Sequence, residues 1–430
     1  MFKINRANKK KVQFNCYFLL LCVLAGIGSA LFSEATDKAY DWCIVVFNRV
    51  NYGMFLYIPL IFTFIVFIFK KYFPYAGGSG LPQGYALDVF DKDVLHNTYS
   101  LRTMIGKVGL TFMSILGGAS LGREGPTIQI CASIFASIKN ISIDKRKFLI
   151  RIGSGVGVAT AFNAPLGGII FAIEEYIKHS SAKLNAKLIF GIAVAGYAMI
   201  LVSSDYSYMG SPNSVNLIFS SKTMLLVLIS GVVCGLSGAL FTWLIVKVSV
   251  HQGSKLCNWR KQHYLINAFI CGFVVALICI LSKGLSLGNG AITTKGFLNQ
   301  GMSMPWYYAL VKAGGALFSV AAGVPGGYFS TALSIGSGMM GIIYHIIPNF
   351  LPVEQFYLLG MVAFLAAITN APITAVAMVL SIVNNSEHLA LPLTFASILG
   401  SYIASIFGDS VYHQQVLIYV DKDKYASTKE

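Results

Sequence analysis

Charge is scarce in this chain. Of its 430 residues only 11% are charged, and Asp and Glu together number 17, whereas an average soluble chain is roughly a quarter charged. So few polar side chains cannot coat a water-facing surface, which excludes a soluble enzyme; passage through lipid needs none. Histidine is rare at seven, and the eight cysteines (Cys16, Cys22, Cys43, Cys131, Cys234, Cys257, Cys271, Cys279) contain no Cys-x-x-Cys and no paired Cys and His spacing. Nothing therefore points to a metal or redox centre. Polar sequence is short after the last apolar run, with about twenty residues left, so no soluble domain is expected there.

What is present is apolar: 56% hydrophobic residues and a mean hydropathy of +0.68. Uncharged runs at 50–69, 152–173, 223–246, 264–282, 313–353, 355–386 and 389–408 each approach or exceed the roughly 20 residues that cross a bilayer. The chain reads as an all-α polytopic membrane protein. Lys and Arg outnumber Asp and Glu by 32 to 17, giving +15, but they sit mainly between the uncharged runs. Cytoplasmic loops and anionic headgroups explain that placement; no nucleic-acid partner is expected. Lys3, Arg6, Lys9, Lys10 and Lys11 precede the first apolar run, so the amino terminus is expected in the cytoplasm. That run, 12–33, has 22 residues, longer than a signal-peptide core, and reads as a retained span.

Glycine is abundant, 42 in all, and clusters inside apolar segments at 77–80, 117–125, 153–157, 323–327 and 336–341. The 41-residue run 313–353 must hold at least two helices, and the short runs 108–122 and 125–138 do not comfortably span lipid alone. Backbone interrupted at membrane depth lines a cavity or packs in protein. Broken helices aim their amino-terminal N–H groups and positive dipole ends at a site near the midplane, where an anion is favoured. The pattern also recurs. Phe162-Asn163-Ala164-Pro165-Leu166 resembles Thr369-Asn370-Ala371-Pro372-Ile373 at an offset of 207, and the glycine-rich turn ending at Gly122 matches that ending at Gly327 at 205. Two membrane repeats are expected, 1–215 and 216–415, followed by a short polar tail, 416–430; chance similarity of Gly- and Ala-rich segments is the alternative.

Four segments carry candidate chemistry. Glu124, in Gly122-Arg123-Glu124-Gly125-Pro126, is placed at a helix amino terminus with Pro126 in the first turn. An intramembrane carboxylate marks an ion or proton pathway, or forms a structural pair with Arg123. Glu174 and Glu175 end an uncharged run and offer either a proton acceptor, through mutual repulsion and partial burial, or a solvated helix end. Gly77-Gly78-Ser79-Gly80-Leu81-Pro82 forms an anion-binding turn or a flexible loop. Gly118-Ala119-Ser120-Leu121-Gly122 fits the Gly-x-Ser-x-Gly nucleophile pattern, but no strand precedes it and nothing links Ser120 to His345, so close helix packing is the simpler reading.

Together, Gly78-Ser79-Gly80-Leu81-Pro82, Gly122-Arg123-Glu124-Gly125-Pro126, Gly327-Tyr328-Phe329 and the late Tyr412 resemble, in order and spacing, the signature segments of the CLC chloride channel and transporter family, over nearly the whole chain. The resemblance implies inverted repeats of broken helices meeting at a central anion, and a homodimer with one pore per subunit. By motif, Ser79 and Tyr412 donate hydroxyls to that anion and Tyr328 and Phe329 donate backbone N–H groups. Glu124 matches the gating glutamate, whose ionised side chain competes with the anion and swings away when protonated. Glu175 matches the inward proton glutamate that family antiporters tend to carry and channels tend to lack.

The resemblance therefore implies chloride/proton antiport across a bacterial plasma membrane, with chloride and protons as transported ions, lipid as surroundings, and no cofactor, metal or chemical step. A passive chloride channel on the same scaffold is the alternative. An intramembrane serine hydrolase built on Ser120 and a non-transporting anion sensor are more distant rivals. Serine at 79 is similar to chloride-preferring members, since nitrate-preferring ones carry proline there and the fluoride-exporting branch departs at this motif and lacks the late tyrosine. The chain departs from the family pattern at Gln83, where an acidic residue is common, and at Ser330 and Thr331, which replace alanine and proline. Loss of that proline is expected to loosen the helix start.

Overall fold

The computed structural model of the chain describes residues 6–138, 141–177, 186–203, 207–212, 220–250, 255–384 and 387–420. Among these residues the secondary structure is helical throughout, and the extended pairing consists of the isolated bridges Gly122 with Gly327 and Gly210 with Val383. By length and composition, four stretches are able to cross a membrane: Val12–Tyr72, Ala186–Ser203, Ser221–Ser249 and Tyr264–Leu281. Many others are too short to do so. The glycine clusters at 77–80, 117–125 and 323–327 fall where helices break, but those at 153–157 and 336–341 lie inside the unbroken helices Ile143–Ala161 and Phe329–Ile346, where they admit neighbouring backbones.

The first helix runs from Arg6 to Val50, well past the 22-residue apolar run. Its polar second half does not end it because those side chains are used: Lys38 pairs with Glu34 one turn away, and Asp37 accepts from the Arg123 guanidinium. The basic cluster at its start lies outside the described side chains. The 313–353 run holds two helices, Tyr308–Ala322 and Phe329–Ile346, separated by Gly323 with φ +88° and the turn leading to Tyr328. Asn163 and Asn370 take left-handed φ values of 51° and 56°, and each is followed by an alanine and a proline that opens the next helix, Pro165–Phe171 and Pro372–Ile382. Asparagine tolerates that conformation, and proline at the first helical position loses no hydrogen bond.

The centre is built from helices with no outward face. Every residue of Val353–Thr369 is buried, and so are all but one of Glu124–Ala136; a helix apolar all round belongs inside a large bundle. Small residues let these backbones approach. A Cβ on Gly157 would stand 2.5 Å from Ile128 Cα in the Glu124 helix, and one on Gly336 would stand 2.2 Å from Gly360 O. Lipid provides no hydrophobic drive between helices, so this close contact supplies the association. The chain end at 416–420 forms a 3-10 turn, Val416–Ile418, with Val416 buried against Leu87, Leu95 and Ile150; residues 421–430 of the expected tail lie outside the described set.

Candidate functional site

Three helix starts converge on one point. The Leu81–Tyr85 helix follows Ser79 and Gly80, the latter at φ +109°; the Glu124–Ala136 helix follows Arg123; the Phe329–Ile346 helix follows Tyr328. Gly122 and Gly327 exchange both backbone hydrogen bonds, at 2.6 and 2.7 Å, which ties the second start to the third. Gly125 joins the first to the second, for a Cβ there would stand 2.6 Å from Ser79 O. First-turn N–H groups have no acceptor inside their own helix, so the point of convergence is electropositive.

Glu124 is fully buried. Its Oε1 accepts from Tyr208 Oη at 2.6 Å and from Asn289 Nδ2 at 2.9 Å, while its Oε2 has no hydrogen-bond partner. Its neighbour Arg123 is anchored away from the helix start, donating through Nη1 to Ser33 O, Thr36 Oγ1 and Asp37. The carboxylate stands in the first turn of its own helix, where the dipole favours negative charge.

Ser79 is buried and its Oγ accepts from Leu81 N at 3.3 Å, leaving the hydroxyl proton to be donated elsewhere. Tyr412 is buried too, and its Oη has no hydrogen-bond partner. Its ring stacks on Tyr328 at 5.2 Å, and Tyr328 Oη donates to Gln415 Oε1 at 2.6 Å. The aromatic pair thus fixes Tyr412 without using its hydroxyl. A cavity of about 520 Å³ lined by Lys70, Gly78, Ser79, Arg260, Lys261 and Tyr328 leads to this side of the site. A separate one of about 310 Å³, lined by Asp37, Gly122, Arg123, Tyr208, Asn289 and Lys295, reaches the two residues that hold Glu124.

The adjacent glutamates part company. Glu174 Oε1 and Oε2 accept from the backbone N–H groups of Ile373 and Thr374 at 3.1 and 2.6 Å, capping the Pro372–Ile382 helix. Glu175 is buried and accepts from Tyr85 Oη, and the Tyr85 ring lies 6.5 Å from that of Tyr412. The helix around them widens to π geometry over Ala172–Ile177, and consecutive side chains on a helix point about 100° apart, so the two glutamates reach different partners.

The departures are accommodated. Ser330 Oγ lies 3.0 Å from Tyr208 Oη, and Thr331 Oγ1 is directed at Ser120 O. The Phe329 helix starts without its proline, Ala332 N donating to Tyr328 O at 2.9 Å. Gln83 Nε2 donates to Gly77 O and Tyr419 Oη. Ser120 and His345 are engaged apart: Ser120 N donates to Ser319 Oγ, whereas His345 Nε2 bonds Met304 O.

Sequence reasoning missed Tyr208, Asn289, Tyr85 and the buried pair Lys107 and Lys312. The lysines had a signal, each standing at the edge of an apolar run. Asn289 had one too, in a Gly-Asn-Gly that mirrors Gly78-Ser79-Gly80. Tyr208 had only its offset of 204 from Tyr412.

The fold is shared with proteins of known structure. The chain is similar to a CLC-type fluoride/proton antiporter of known structure, at TM-score 0.77 and 19% identity, over 96% of this chain and 99% of that one. It is also similar to a slow cyanobacterial Cl⁻/H⁺ antiporter at TM-score 0.76 and 22% identity, over 96% and 98%. A eukaryotic CLC transporter matches at 0.71 and 20%, over 95% and 75%. At these identities the likeness establishes the fold. A family model described as voltage gated chloride channel matches residues 60–405, and with helix starts meeting at the Gly122–Gly327 bridge the chain belongs to the CLC family.

Proposed function

We propose that the protein is a secondary active transporter exchanging chloride for protons across a membrane, with Glu124 as both gate and proton carrier. The observation that carries this reading is a fully buried carboxylate at a convergence of helix amino termini, held through one oxygen while the other has no hydrogen-bond partner. An ionised Glu124 and a chloride ion compete for the same electropositive seat, since one negative charge substitutes for another. Protonation removes the carboxylate's claim and frees the seat, so anion and proton movements are linked without a covalent step.

Ser79 and Tyr412 supply hydroxyls to the anion, and Tyr328 and Phe329 supply backbone N–H groups. The Tyr412 hydroxyl, buried and unpartnered, supports that role. Glu175 acts as the inner proton relay; its burial beside Tyr85 supports coupled exchange over passive conduction. The cavity beside Lys70, Arg260 and Lys261 faces the cytoplasm, in keeping with the positive-inside rule. Residues 1–215 and 216–415 form two inverted halves, and the protein is a homodimer in a bacterial plasma membrane with its amino terminus inside, bound to chloride and to no other cofactor.

The test uses purified protein in chloride-loaded liposomes, with an outward chloride gradient, a clamped potential, and external pH followed beside chloride efflux. Uphill proton uptake that accompanies efflux and disappears in Glu124→Ala is the expected result. Chloride efflux without proton movement in the wild-type protein would instead establish a passive channel.

A further inference from the structure

The Glu124 carboxylate is gripped by one residue from each half of the chain, and the grip copies the turn at Ser79. Asn289 lies between Gly288 and Gly290, at φ +60° and +82°, as Ser79 lies between Gly78 and Gly80, at +65° and +109°. Asn289 Oδ1 accepts from Ala291 N at 3.0 Å, as Ser79 Oγ accepts from Leu81 N at 3.3 Å. Each turn opens a helix, Ala291–Gln300 and Leu81–Tyr85. Tyr208 and Tyr412 stand 204 positions apart and form the other half of the pattern. Tyr412 stacks on the residue before Phe329, namely Tyr328, and Tyr208 lies under the residue before Glu124, with Arg123 Cζ 5.9 Å from its ring.

The two arrangements differ in what the donors face. Tyr208 Oη and Asn289 Nδ2 both reach Glu124 Oε1, and Asn289 Nδ2 also donates to Tyr208 Oη at 2.9 Å. With its single proton committed to the carboxylate, Tyr208 accepts from Asn289 and from Ser330, 3.0 Å away. Tyr208 and Asn289 close around one oxygen and line the Asp37-side cavity. Hydrogen bonds to an ionised acceptor in a buried site are among the stronger ones.

We propose that Tyr208 and Asn289 are positioning residues that latch the Glu124 carboxylate in the anion pathway and thereby set how strongly it competes with the transported anion. The inference rests on the reading of Glu124 as a displaceable gate. Loosening the latch favours the anion, so chloride saturates flux at lower concentration.

The experiment measures the chloride concentration giving half-maximal flux in liposomes for Tyr208→Phe and Asn289→Ala, each with Glu124 intact and on a Glu124→Ala background. With Glu124 intact, either variant is expected to lower that concentration at least about tenfold, the effect of one lost charge-assisted hydrogen bond. On the Glu124→Ala background neither should move it by more than about twofold. Equal shifts on both backgrounds, or no shift with Glu124 intact, would overturn the proposal while leaving the gate standing. If Glu124→Ala alone leaves half-saturation and proton coupling unchanged, the gate reading fails and the latch with it. Asn289→Ala decides the matter if Tyr208→Phe does not fold.

Discussion

Lys107 and Lys312 stand 205 positions apart and do the same work. Lys107 Nζ donates to the carbonyls of Ala76, Gly77 and Gly78, and Lys312 Nζ to those of Leu287 and Gly288. Each ammonium, fully buried, holds the carbonyl side of a turn whose next residue, Ser79 or Asn289, faces the site. Compact polar turns at membrane depth need such partners, since their carbonyls have no place in a helix or sheet.

Lys107→Met keeps the length of the side chain and removes all three bonds. The variant should lose about 2–4 kcal/mol of stability, read as a lower thermal midpoint in detergent, and Lys312→Met should fall by a similar amount. Chloride flux should drop further in Lys107→Met, because its turn carries Ser79.

Tyr412→Phe removes a hydroxyl that is buried and unpartnered. In chloride-free buffer the variant should be as stable as the wild type or up to about 1 kcal/mol more so. Added chloride stabilises any state that binds it, so the wild type should rise in thermal midpoint with chloride and Tyr412→Phe should rise much less. An equal rise in both would remove Tyr412 from the anion site.

Glu174→Gln and Glu175→Gln separate two neighbours by function. Glu174 caps the Pro372–Ile382 helix, so its variant should cost about 1 kcal/mol and leave the ratio of protons to chloride in liposome flux unchanged. Glu175→Gln should abolish proton movement while chloride still flows. Identical ratios in the two variants would count against Glu175 as the relay.

Gly125→Ala tests the junction of the first two helix starts. Its Cβ would meet Ser79 O at 2.6 Å and Ser79 Cβ at 3.0 Å, and Gly125 is held by its helix while Lys107 holds the turn before Ser79. Overpacking of roughly 1–3 kcal/mol should appear as lost stability together with weaker chloride binding by calorimetry. Gly109→Ala, where a Cβ meets nothing within 4 Å, serves as the control.

The parts of the site that were legible beforehand are those tied to local chain chemistry. Ser79, Glu124 and Phe329 lie at or beside helix starts, and glycine and proline announce such starts in any sequence. The broken run at 313–353 was legible for the same reason. Tyr208 was less so, because a tyrosine in a short polar stretch says nothing by itself about a carboxylate 84 positions earlier, and only its offset of 204 from Tyr412 points to the repeat. The resemblance singled out Glu175, but the different partners of Glu174 and Glu175 were hidden, since they are reached across 199 and 90 positions. The Arg6–Val50 helix outran its apolar run because Asp37 is bound to Arg123, a contact made across 86 positions.

The reciprocal pair of hydrogen bonds between Gly122 and Gly327 has a mechanical meaning. It rivets the roots of two helices from opposite halves, so neither root can retreat to enlarge the space between them without carrying the other along. On the proposed reading the anion seat is consequently a mould of fixed bore, and an ion too large for it gains nothing from backbone breathing. Adaptation to a different ion must then come through the side chains that rim the mould, which makes their rotation the hinge of the machine.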